Sequence, residues 1–451
     1  MAKTKKAEVL TLEEKLQQAL VPQEEQPYRM PANWCWTKLE YIAKWGSGGT
    51  PSRKKAEYYN GSIPWIKTGE LNCKYIYGSE EHITESAIKN SNAKVYPVNT
   101  VVLAMYGATI GKVSILKIEA ATNQACACAI GLKSIYYMYL FYFLQNNKYR
   151  FILKGKGGAQ PNISQDIIKK EIFPLPPLSE QQRIVDRIES IFAKLDEAKE
   201  RAQEVVDGFE ERKAAILHKA FIGELTAKWR AEHGIGMDSW EANELKDFLE
   251  PMENKKPKGE KFRYIDIDSI DNINQIVKEP KIIMVKDAPS RASRGLKTND
   301  IVFSMVRPYL KNIAYIYEEL SDCIASTGFY VCRCNKKLLP QFLFKFLCSK
   351  DAIDYLMKYM KGDNSPSIRQ NDLLGMPVLF PKPLEQIEIT KILNSILSQE
   401  QHAKEAAESV LEQIDLIKKS ILAKAFRGEL GTNNPEEESA VELLKACLQE
   451  K

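Results

Sequence analysis

Two glycine-containing segments in the first half of the sequence, GGTPSRKKAEYY and KGKGGAQPN, concentrate cations, amides and hydroxyl groups. Glycine lets the backbone approach a phosphate closely, arginine and lysine neutralise its charge, and amide side chains can pair with the edge of adenine. These segments therefore favour nucleic-acid binding. Their candidate contact residues are Thr50, Ser52, Arg53, Lys54, Lys154, Lys156, Gln160 and Asn162.

Similar residue types recur elsewhere in both halves of the chain. In the first half, the further candidates are Lys67, Thr68, Tyr106, Thr109, Lys112, Asn123 and Gln124. In the second half, they are Lys255, Lys256, Arg291, Arg294, Lys297, Arg307, Tyr309, Lys311, Asn364, Ser367 and Arg369. A solvated surface turn is the alternative explanation for each cluster alone. Their recurrence at matching positions, with different residues, favours two sites that recognise unlike sequences.

The distribution of charge agrees with this interpretation. The net charge is only +5, but residues 27–173 contain 19 basic and 9 acidic residues, which gives +10. Residues 240–380 contain 22 basic and 19 acidic residues, which gives +3, so the remainder of the chain has a net charge of −8. We therefore expect the two globular segments to bind a polyanion and the acidic segments to face protein or water.

The sequence contains no recognisable catalytic motif. A phosphate-binding Walker loop, an Asn/Asp-Pro-Pro-Tyr/Phe methyl-transfer motif and a glycine-rich turn for S-adenosylmethionine are all missing. The four histidines are scattered without metal-ligand spacing, and Glu253-Asn254-Lys255 lacks the upstream Pro-Asp of a nuclease site. We expect a chain without catalytic residues or a metal of its own.

The spacing of the cysteines and the hydropathy of the sequence indicate the cellular compartment of the protein. The pairs Cys126/Cys128 and Cys332/Cys334 lie at strand spacing, which predicts buried free thiols rather than metal ligands. No apolar run is long enough to span a bilayer, and the N-terminus lacks the features of a secretion signal. The sequence predicts a cytoplasmic protein.

The chain contains an internal duplication. ILHKAFIGEL, residues 216–225, and ILAKAFRGEL, residues 421–430, agree at eight of ten positions at an offset of 205. VNTVVLAMYGATIGKVSIL from Val98 similarly aligns with TNDIVFSMVRPYLKNIAYI from Thr298. Each half therefore consists of a globular segment followed by a long helix.

The two long helices have the alternating three- and four-residue apolar spacing of a coiled coil. The predicted seam contains Ile184, Ile188, Ile191 and Leu195 in the first helix, and Ile389, Leu393, Ile396 and Ile417 in the second. Arg212 stands where the second copy has Ile417, and Glu400 stands where the first has Leu195. Antiparallel pairing would place Arg212 opposite Glu400 and Leu195 opposite Ile417. The alternative is that each helix packs only on its own globular segment.

Several motifs together resemble the specificity subunits of type I restriction–modification systems. They are GGTPSRKKAEYYNGSIPWIKTGELN, YGATIGKVSI, TNQACACAI, GGAQPNIS and PLPPLSEQQRIV. The second half keeps PSIRQ and KPLEQ, but YIDIDSI replaces the tryptophan-containing strand, so its contact residues are less well defined. The resemblance extends from about Pro31 to Leu430.

The resemblance implies an α+β, pseudo-two-fold duplicated chain, in which two long antiparallel coiled-coil helices separate two mixed α/β target-recognition domains. It also implies binding of a bipartite double-stranded DNA target and assembly with two methyltransferase subunits, which use S-adenosylmethionine to methylate adenine N6. A restriction and translocation subunit that uses ATP and Mg²⁺ can join them, whereas this chain would hold no cofactor. The chain termini are expected to approach each other and dock a methyltransferase subunit.

The predicted segments are residues 1–26 (N-terminal helix), 27–178 (first recognition domain), 179–226 (first spacer helix), 227–383 (second recognition domain), 384–430 (second spacer helix) and 431–451 (helical tail). Two other functions stay open. The chain could be the recognition subunit of another multi-subunit restriction–modification type, or a coiled-coil assembly scaffold that does not bind DNA.

Overall fold

The computed structural model describes residues 10–155 and 162–450. The chain forms two compact units, residues 1–200 with 410–451 and residues 201–409. Each unit thus contains one predicted globular segment and parts of both long helices. The candidate residues Lys156 and Gln160 lie outside the described residues.

The helices of the described residues range from single turns to a rod of 43 residues. They are α1 (Leu12–Ala19), α2 (Leu39–Ile42), α3 (Glu85–Lys89), α4 (Tyr137–Asn146), α5 (Lys148–Lys154), α6 (Gln165–Lys169), α7 (Leu178–Asp207), α8 (Phe209–Phe221), α9 (Ala227–Glu232), α10 (Pro340–Leu347), α11 (Lys350–Met357), α12 (Gln370–Leu374), α13 (Pro383–Ala425) and α14 (Ala440–Glu450).

The first unit contains the strands β1 (Cys35–Lys38), β2 (Ala43–Ser47), β3 (Tyr59–Ile66), β4 (Tyr75–Ile76), β5 (His82–Ile83), β6 (Val95–Tyr96), β7 (Val101–Ala104), β8 (Val113–Leu116), β9 (Ala120–Thr122), β10 (Cys126–Gly131) and β11 (Ile172–Leu175). They form a five-stranded sheet in the order β2-β10-β7-β8-β4, a four-stranded sheet in the order β5-β3-β9-β6, and the pair β1-β11.

The second unit contains the strands β12 (Glu241–Glu244), β13 (Lys261–Ile265), β14 (Ile270–Asp271), β15 (Ile276–Val277), β16 (Lys281–Met284), β17 (Ala292–Gly295), β18 (Ile301–Ser304), β19 (Ile313–Tyr315), β20 (Ile324–Ser326), β21 (Phe329–Cys332) and β22 (Pro377–Phe380). Its sheets have the orders β16-β13-β20-β17 and β19-β18-β21, with the pairs β14-β15 and β12-β22.

The two units share a topology, which confirms the duplicated, mixed α/β fold. β7 lies between β8 and β10, and β18 lies between β19 and β21, with all pairs antiparallel. β3 and β9 pair in parallel, as do β13 and β20. In each unit, an apolar helix that follows these strands, α4 or α10, belongs to the main hydrophobic core.

The strands on either side of the loop at residues 107–111 pair as the antiparallel hairpin of β7 and β8. The predicted burial of the paired cysteines is also observed. Cys126, Cys128 and Cys332 are buried and Cys334 is partly buried. Burial raises the pKa of the Cys128 thiol to about 12, so this group stays protonated at neutral pH.

The Asn-Gly pair at residues 60–61 is of the type that favours a turn before a strand, but it lies inside β3, where the register against β5 shifts between Tyr59 and Ile63. Asn60 has a left-handed backbone with φ of 58°. A Cβ on Gly61 would overlap the carbonyl oxygen of Ile83, so glycine permits the close approach of this bulge.

The first long helix is not continuous, in contrast to the predicted single rod. It breaks at Gly208, between α7 and α8, whereas α13 is unbroken. The Arg212 guanidinium donates to the carbonyl oxygen of Val205 at 2.8 Å, which satisfies an acceptor at the break. A Cβ on Gly208 would lie 2.5 Å from Arg212 Nη1, so glycine leaves room for this side chain.

The helices pair in antiparallel fashion within each unit, as predicted. In the second unit, Arg212 Nε donates to Glu400 Oε2 at 2.7 Å. In the first unit, Lys418 pairs with Asp196, and Lys199 lies 3.4 Å from Asp415. Residue numbers therefore rise along one helix as they fall along the other.

Burial along the predicted seam is uneven. Ile184 and Ile188 belong to the core of the first unit, and Ile389 and Leu393 to that of the second. The alternative interpretation, in which each helix packs on its own domain, therefore also holds where each helix begins. Ile191, Leu195 and Ile396 are partly buried, and Ile417 keeps 42% of its surface exposed, more than expected for a seam position.

The first and last described helices, α1 and α14, pack together in the first unit, in line with the expectation for the two ends of the chain. Leu16 of α1 and Leu444 of α14 belong to the same buried cluster. Glu13 and Lys445 lie 3.9 Å apart. Across residues 10–155 and 162–450, every helix is too short or too polar to cross a membrane.

Candidate nucleic-acid interface

A Glu-Gln pair near the start of each long helix fixes the globular domain to that helix. Gln181 Oε1 accepts a hydrogen bond from the Tyr136 backbone at 2.8 Å, and Gln386 Oε1 accepts one from Leu339 at 2.7 Å. Each amide nitrogen donates to a proline carbonyl, that of Pro176 at 3.1 Å in the first unit. The Pro-rich motif before each helix thus positions a domain.

The neighbouring glutamate binds the segment that follows the other long helix. In the second unit, buried Glu385 accepts from Arg230 at 2.6 Å, Thr226 at 2.7 Å and Trp240 at 3.0 Å. These residues lie at the end of the first half and the start of the second domain. Sequence reasoning missed this network, although Glu180 and Glu385 are 205 residues apart and Thr226 and Thr432 are 206 apart, close to the period of the repeat.

In that counterpart, buried Glu180 accepts from Thr432 at 2.8 Å and from Arg183 at 2.6 Å. Arg183 also binds Glu437 at 2.7 Å. Burial raises the pKa of the Glu180 carboxyl despite these hydrogen bonds. In each unit, these hydrogen bonds therefore join residues from both halves of the sequence.

The loop that contains Gly48 and Gly49 packs tightly on the turn after β9. A Cβ on Gly48 would overlap the carbonyl oxygen of Thr122, and one on Gly49 would overlap the backbone of Asn92. Only glycine allows this approach, which brings Thr50 to Gln124, where their side chains are hydrogen bonded.

The end of β7 joins the same surface. The Met105 backbone donates to Ala125 at 2.8 Å and accepts from Ile163 at 3.0 Å, and Tyr106 pairs with Asn162. The structure therefore brings together five of the predicted contact residues, which we name cluster 1. Cluster 1 is Thr50, Tyr106, Asn123, Gln124 and Asn162.

Most other predicted cations of the first unit have protein partners. Arg53 and Lys67 both bind Glu81, and Lys112 donates to Asn72 at 2.6 Å. Lys154 pairs with Glu171, a carboxylate that is 1% exposed, so this lysine also stabilises the domain. Ser52 and Lys54 are exposed, Thr68 is partly buried, and the Thr109 hydroxyl donates to the Tyr106 carbonyl.

In the second unit, the loop after β18 meets the segment before α12. Arg307 donates from its backbone to Pro366 at 2.8 Å and from its guanidinium to the Asn364 carbonyl at 2.9 Å. Val306 pairs with Ser367. The Val306–Ser367 pair corresponds to the Tyr106–Asn162 pair of the first unit. We name the polar residues around it, Arg307, Tyr309, Asn364 and Ser367, cluster 2.

Cluster 2 borders a groove of about 690 Å³ that includes Arg291 and Arg307. Both residues are exposed, as are Lys255, Lys256 and Arg369. Arg294 and Lys297 bind partners outside cluster 2. Arg294 donates to Asn254 at 2.6 Å, and Lys297 pairs with Glu253 at 2.6 Å.

Arg307 and Lys311 adopt left-handed backbone conformations, with φ of 49° and 51°. The matching residues of the first unit, Gly107 and Gly111, have φ of 62° and 78°. Such a conformation costs a non-glycine residue about 1–2 kcal/mol. The second unit thus places two cations in strained backbone conformations at a loop tip.

A model of the family described as "Type I restriction modification DNA specificity domain" matches residues 31–206. A full-length relative, the EcoDI specificity subunit of Escherichia coli, is 24% identical over 94% of this chain and 96% of its own length. Residues 31–206 therefore match a type I restriction specificity domain, and the chain along most of its length is similar to type I specificity subunits. The MjaIX specificity subunit of Methanocaldococcus jannaschii is 33% identical over 40% of this chain and 42% of its own.

A solved structure shares this fold. The HsdS subunit from Thermoanaerobacter tengcongensis has a TM-score of 0.65 and 18% identity over 90% of this chain and all of its own. A second, from a study of type I complex assembly, has a TM-score of 0.64. The family model covers the first copy, while these full-length similarities extend to the second.

Proposed function

We propose that this chain supplies the DNA sequence specificity of a type I restriction–modification complex, and that each globular domain binds one half of a bipartite target. The observation that best supports this is the placement of different exposed residues on one scaffold. Cluster 1 presents a threonine, a tyrosine and three amides, whereas cluster 2 presents an arginine, a tyrosine, an asparagine and a serine. Unlike side chains in equivalent loops suit unlike half-sites.

Chemistry would belong to other subunits. Two methyltransferase subunits would bring S-adenosylmethionine and methylate adenine N6, and a restriction subunit would use ATP and Mg²⁺ to translocate and cleave DNA. We expect the purified chain alone to neither methylate nor cleave DNA. Because the substrate would be the chromosome, the complex would act in the cytoplasm of a prokaryotic cell.

The assignment of the domains to separate half-sites can be tested by methylome sequencing. Thr50→Ala with Gln124→Ala should alter recognition of one half-site, and Arg307→Ala should alter the other. Each variant serves as the control for the other, because the unmutated domain should keep its half-site. A change in both half-sites from one variant would contradict separate recognition.

The long helices would set the gap between the half-sites. Deletion of one heptad from each helix should change the number of unspecified base pairs in the methylated sequence. An unchanged gap would reject this role.

A protein scaffold that does not bind DNA is the main competing function. The scaffold function predicts no affinity for DNA. The proposed function predicts a DNA-binding constant whose logarithm falls linearly with the logarithm of the salt concentration. Titration of a fluorescent duplex with the full chain at several salt concentrations distinguishes the two.

The surface formed by α14 and the start of α7 is the candidate dock for one methyltransferase subunit. It contains a groove of about 870 Å³ with the partly exposed apolar residues Leu178 and Leu443. Leu443→Asp should reduce co-purification of that subunit, with Lys419→Asp, which changes an exposed residue away from this groove, as the control.

A further inference from the structure

One carboxylate holds two of the cations that the first domain offers to DNA. Arg53 Nη1 lies 2.7 Å from Glu81 Oε2, and Lys67 Nζ lies 2.8 Å from Glu81 Oε1. The carboxylate therefore uses both of its oxygens on cations. Glu81 is not among the residues predicted to contact DNA, and its negative charge opposes DNA binding.

The fold positions this carboxylate. Glu81 directly precedes β5, which pairs with β3, and its carbonyl oxygen accepts from the Trp65 backbone at 2.9 Å. The Arg53 guanidinium lies over the rings of Tyr59 and Trp65, 4.5 Å and 5.1 Å from their centroids. The cations and the carboxylate are thus held by the same two strands.

The group is accessible to a ligand. The Arg53 side chain is 55% exposed and that of Glu81 is 30% exposed. A carboxylate and a phosphate present similar oxygens to a guanidinium, so Glu81 occupies the kind of position that a DNA phosphate would take. Arg53 and Lys67 lower the pKa of Glu81 to about 2, so the carboxylate stays charged until the pH falls towards that value.

We propose that Glu81 competes with the DNA backbone for Arg53 and Lys67 and thereby sharpens sequence discrimination. The competition lowers affinity for every duplex, because phosphate contacts are independent of sequence. Because this loss is the same for every sequence, it leaves the ratio of affinities unchanged but reduces occupancy of non-specific and near-target sites, while a target that also forms base contacts stays occupied. This inference rests on the proposed DNA-binding function.

The second domain has a related arrangement with different residues. Glu253 lies 2.6 Å from Lys297 and 3.1 Å from Arg333. Arg333 is also bound to buried Asp300 at 2.8 Å, so DNA could draw only Lys297 away from Glu253. We therefore expect Glu253→Gln to have the same effect as Glu81→Gln, but a smaller one.

The test measures binding of the full chain to a mixed-sequence duplex of about 40 base pairs that lacks the methylated target. Glu81→Gln should bind this duplex about tenfold more tightly at moderate salt. The slope of the logarithm of its binding constant against the logarithm of the salt concentration should be steeper by about one to two. The matched control is Glu80→Gln, which removes the same charge from a side chain that is 79% exposed and 3.8 Å from Lys67. Glu81→Asp, which keeps the charge but shortens its reach, should give an intermediate gain.

Methylome sequencing provides a second measurement. Glu81→Gln should extend methylation to sites that differ from the target by one base pair, and Glu80→Gln should not. The gain in non-specific affinity should also vanish when Arg53 and Lys67 are both alanine. Equal behaviour of the two glutamine variants, weaker binding by Glu81→Gln, or a gain that persists without the two cations would overturn the inference. Failure of the unmodified chain to bind any duplex would instead reject the proposed function itself.

Discussion

The loop tips of the two domains share a backbone but differ in the residues that adopt it. Gly107 and Gly111 are left-handed in the first domain, and Arg307 and Lys311 are left-handed in the second. Before these loops, Asn99 and Asn299 also match, with φ of 67° and 71°. The backbone conformation was thus retained after duplication while the side chains diverged.

The junction beneath the loops is also present in both units, but its two copies differ in strength. Glu385 has three side-chain donors, including Trp240, whereas the indole nitrogen of Trp34, at the corresponding place, has no acceptor among residues 10–155 and 162–450. Arg230 is 8% exposed, and Arg183 is 37% exposed. Duplication therefore left a strong and a weak version of one junction.

The largest predicted effect tests this difference. Arg230→Ala leaves the buried Glu385 carboxylate without its cation and should reduce the free energy of unfolding of the second unit by about 3–5 kcal/mol. Arg183→Ala should cost only about 1–2 kcal/mol, because this arginine is partly solvated. Hydrogen exchange of the peptides around α9 and around α7 measures each loss, and equal losses would contradict the comparison.

The ion pair between the two long helices should contribute less to stability than the contact between Arg230 and Glu385. Arg212→Ala removes the partner of Glu400 and of the Val205 carbonyl, and should cost about 1–3 kcal/mol in urea unfolding. Arg212→Ile combined with Glu400→Leu gives both helices the same apolar pattern and should recover most of that loss. If the double variant is no more stable than Arg212→Ala, the ion pair is not what the single variant disrupts.

Giving the first loop the arginine of the second loop should reduce the free energy of unfolding by a smaller amount. Gly107→Arg forces the left-handed conformation on a non-glycine residue and should destabilise the first unit by about 1–2 kcal/mol. No atom lies within 4 Å of the position its Cβ would take, so backbone strain alone is measured. Ala108→Arg, at an exposed neighbour without positive φ, is the control and should leave the melting temperature nearly unchanged.

The reverse transplant should have the smallest effect on stability. In Arg307→Gly, relief of strain offsets the lost hydrogen bond to Asn364, so the free energy of unfolding should change by less than about 1 kcal/mol. Binding to the target should nevertheless weaken, because a cation of cluster 2 is removed. A large loss of stability with unchanged DNA affinity would assign Arg307 a structural role instead.

Features set by local periodicity could be predicted from the sequence. The repeat, the antiparallel helix pair and the Arg212–Glu400 contact follow from residue spacing along two helices. The break at Gly208 was not predicted, because it depends on the Arg212 guanidinium reaching the Val205 carbonyl. The heptad pattern does not contain that information.

Features that depend on sheet register could not be predicted. The bulge at Gly61 exists because Ile83 of another strand lies against it. Glu81 reaches Arg53 and Lys67 only because β5 pairs with β3. The composition of cluster 1 also depends on tight packing between loops more than 70 residues apart in sequence, such as those of Thr50 and Gln124.

The glycines at the tip of the first loop have an evolutionary consequence. Glycine codons of the GGN set become arginine codons by one change at the first base. A loop already shaped for left-handed glycine can therefore acquire an arginine like Arg307 in one mutational step, at a cost of about 1–2 kcal/mol and without rebuilding its path. New half-site preferences could arise in this way while the protein stays folded.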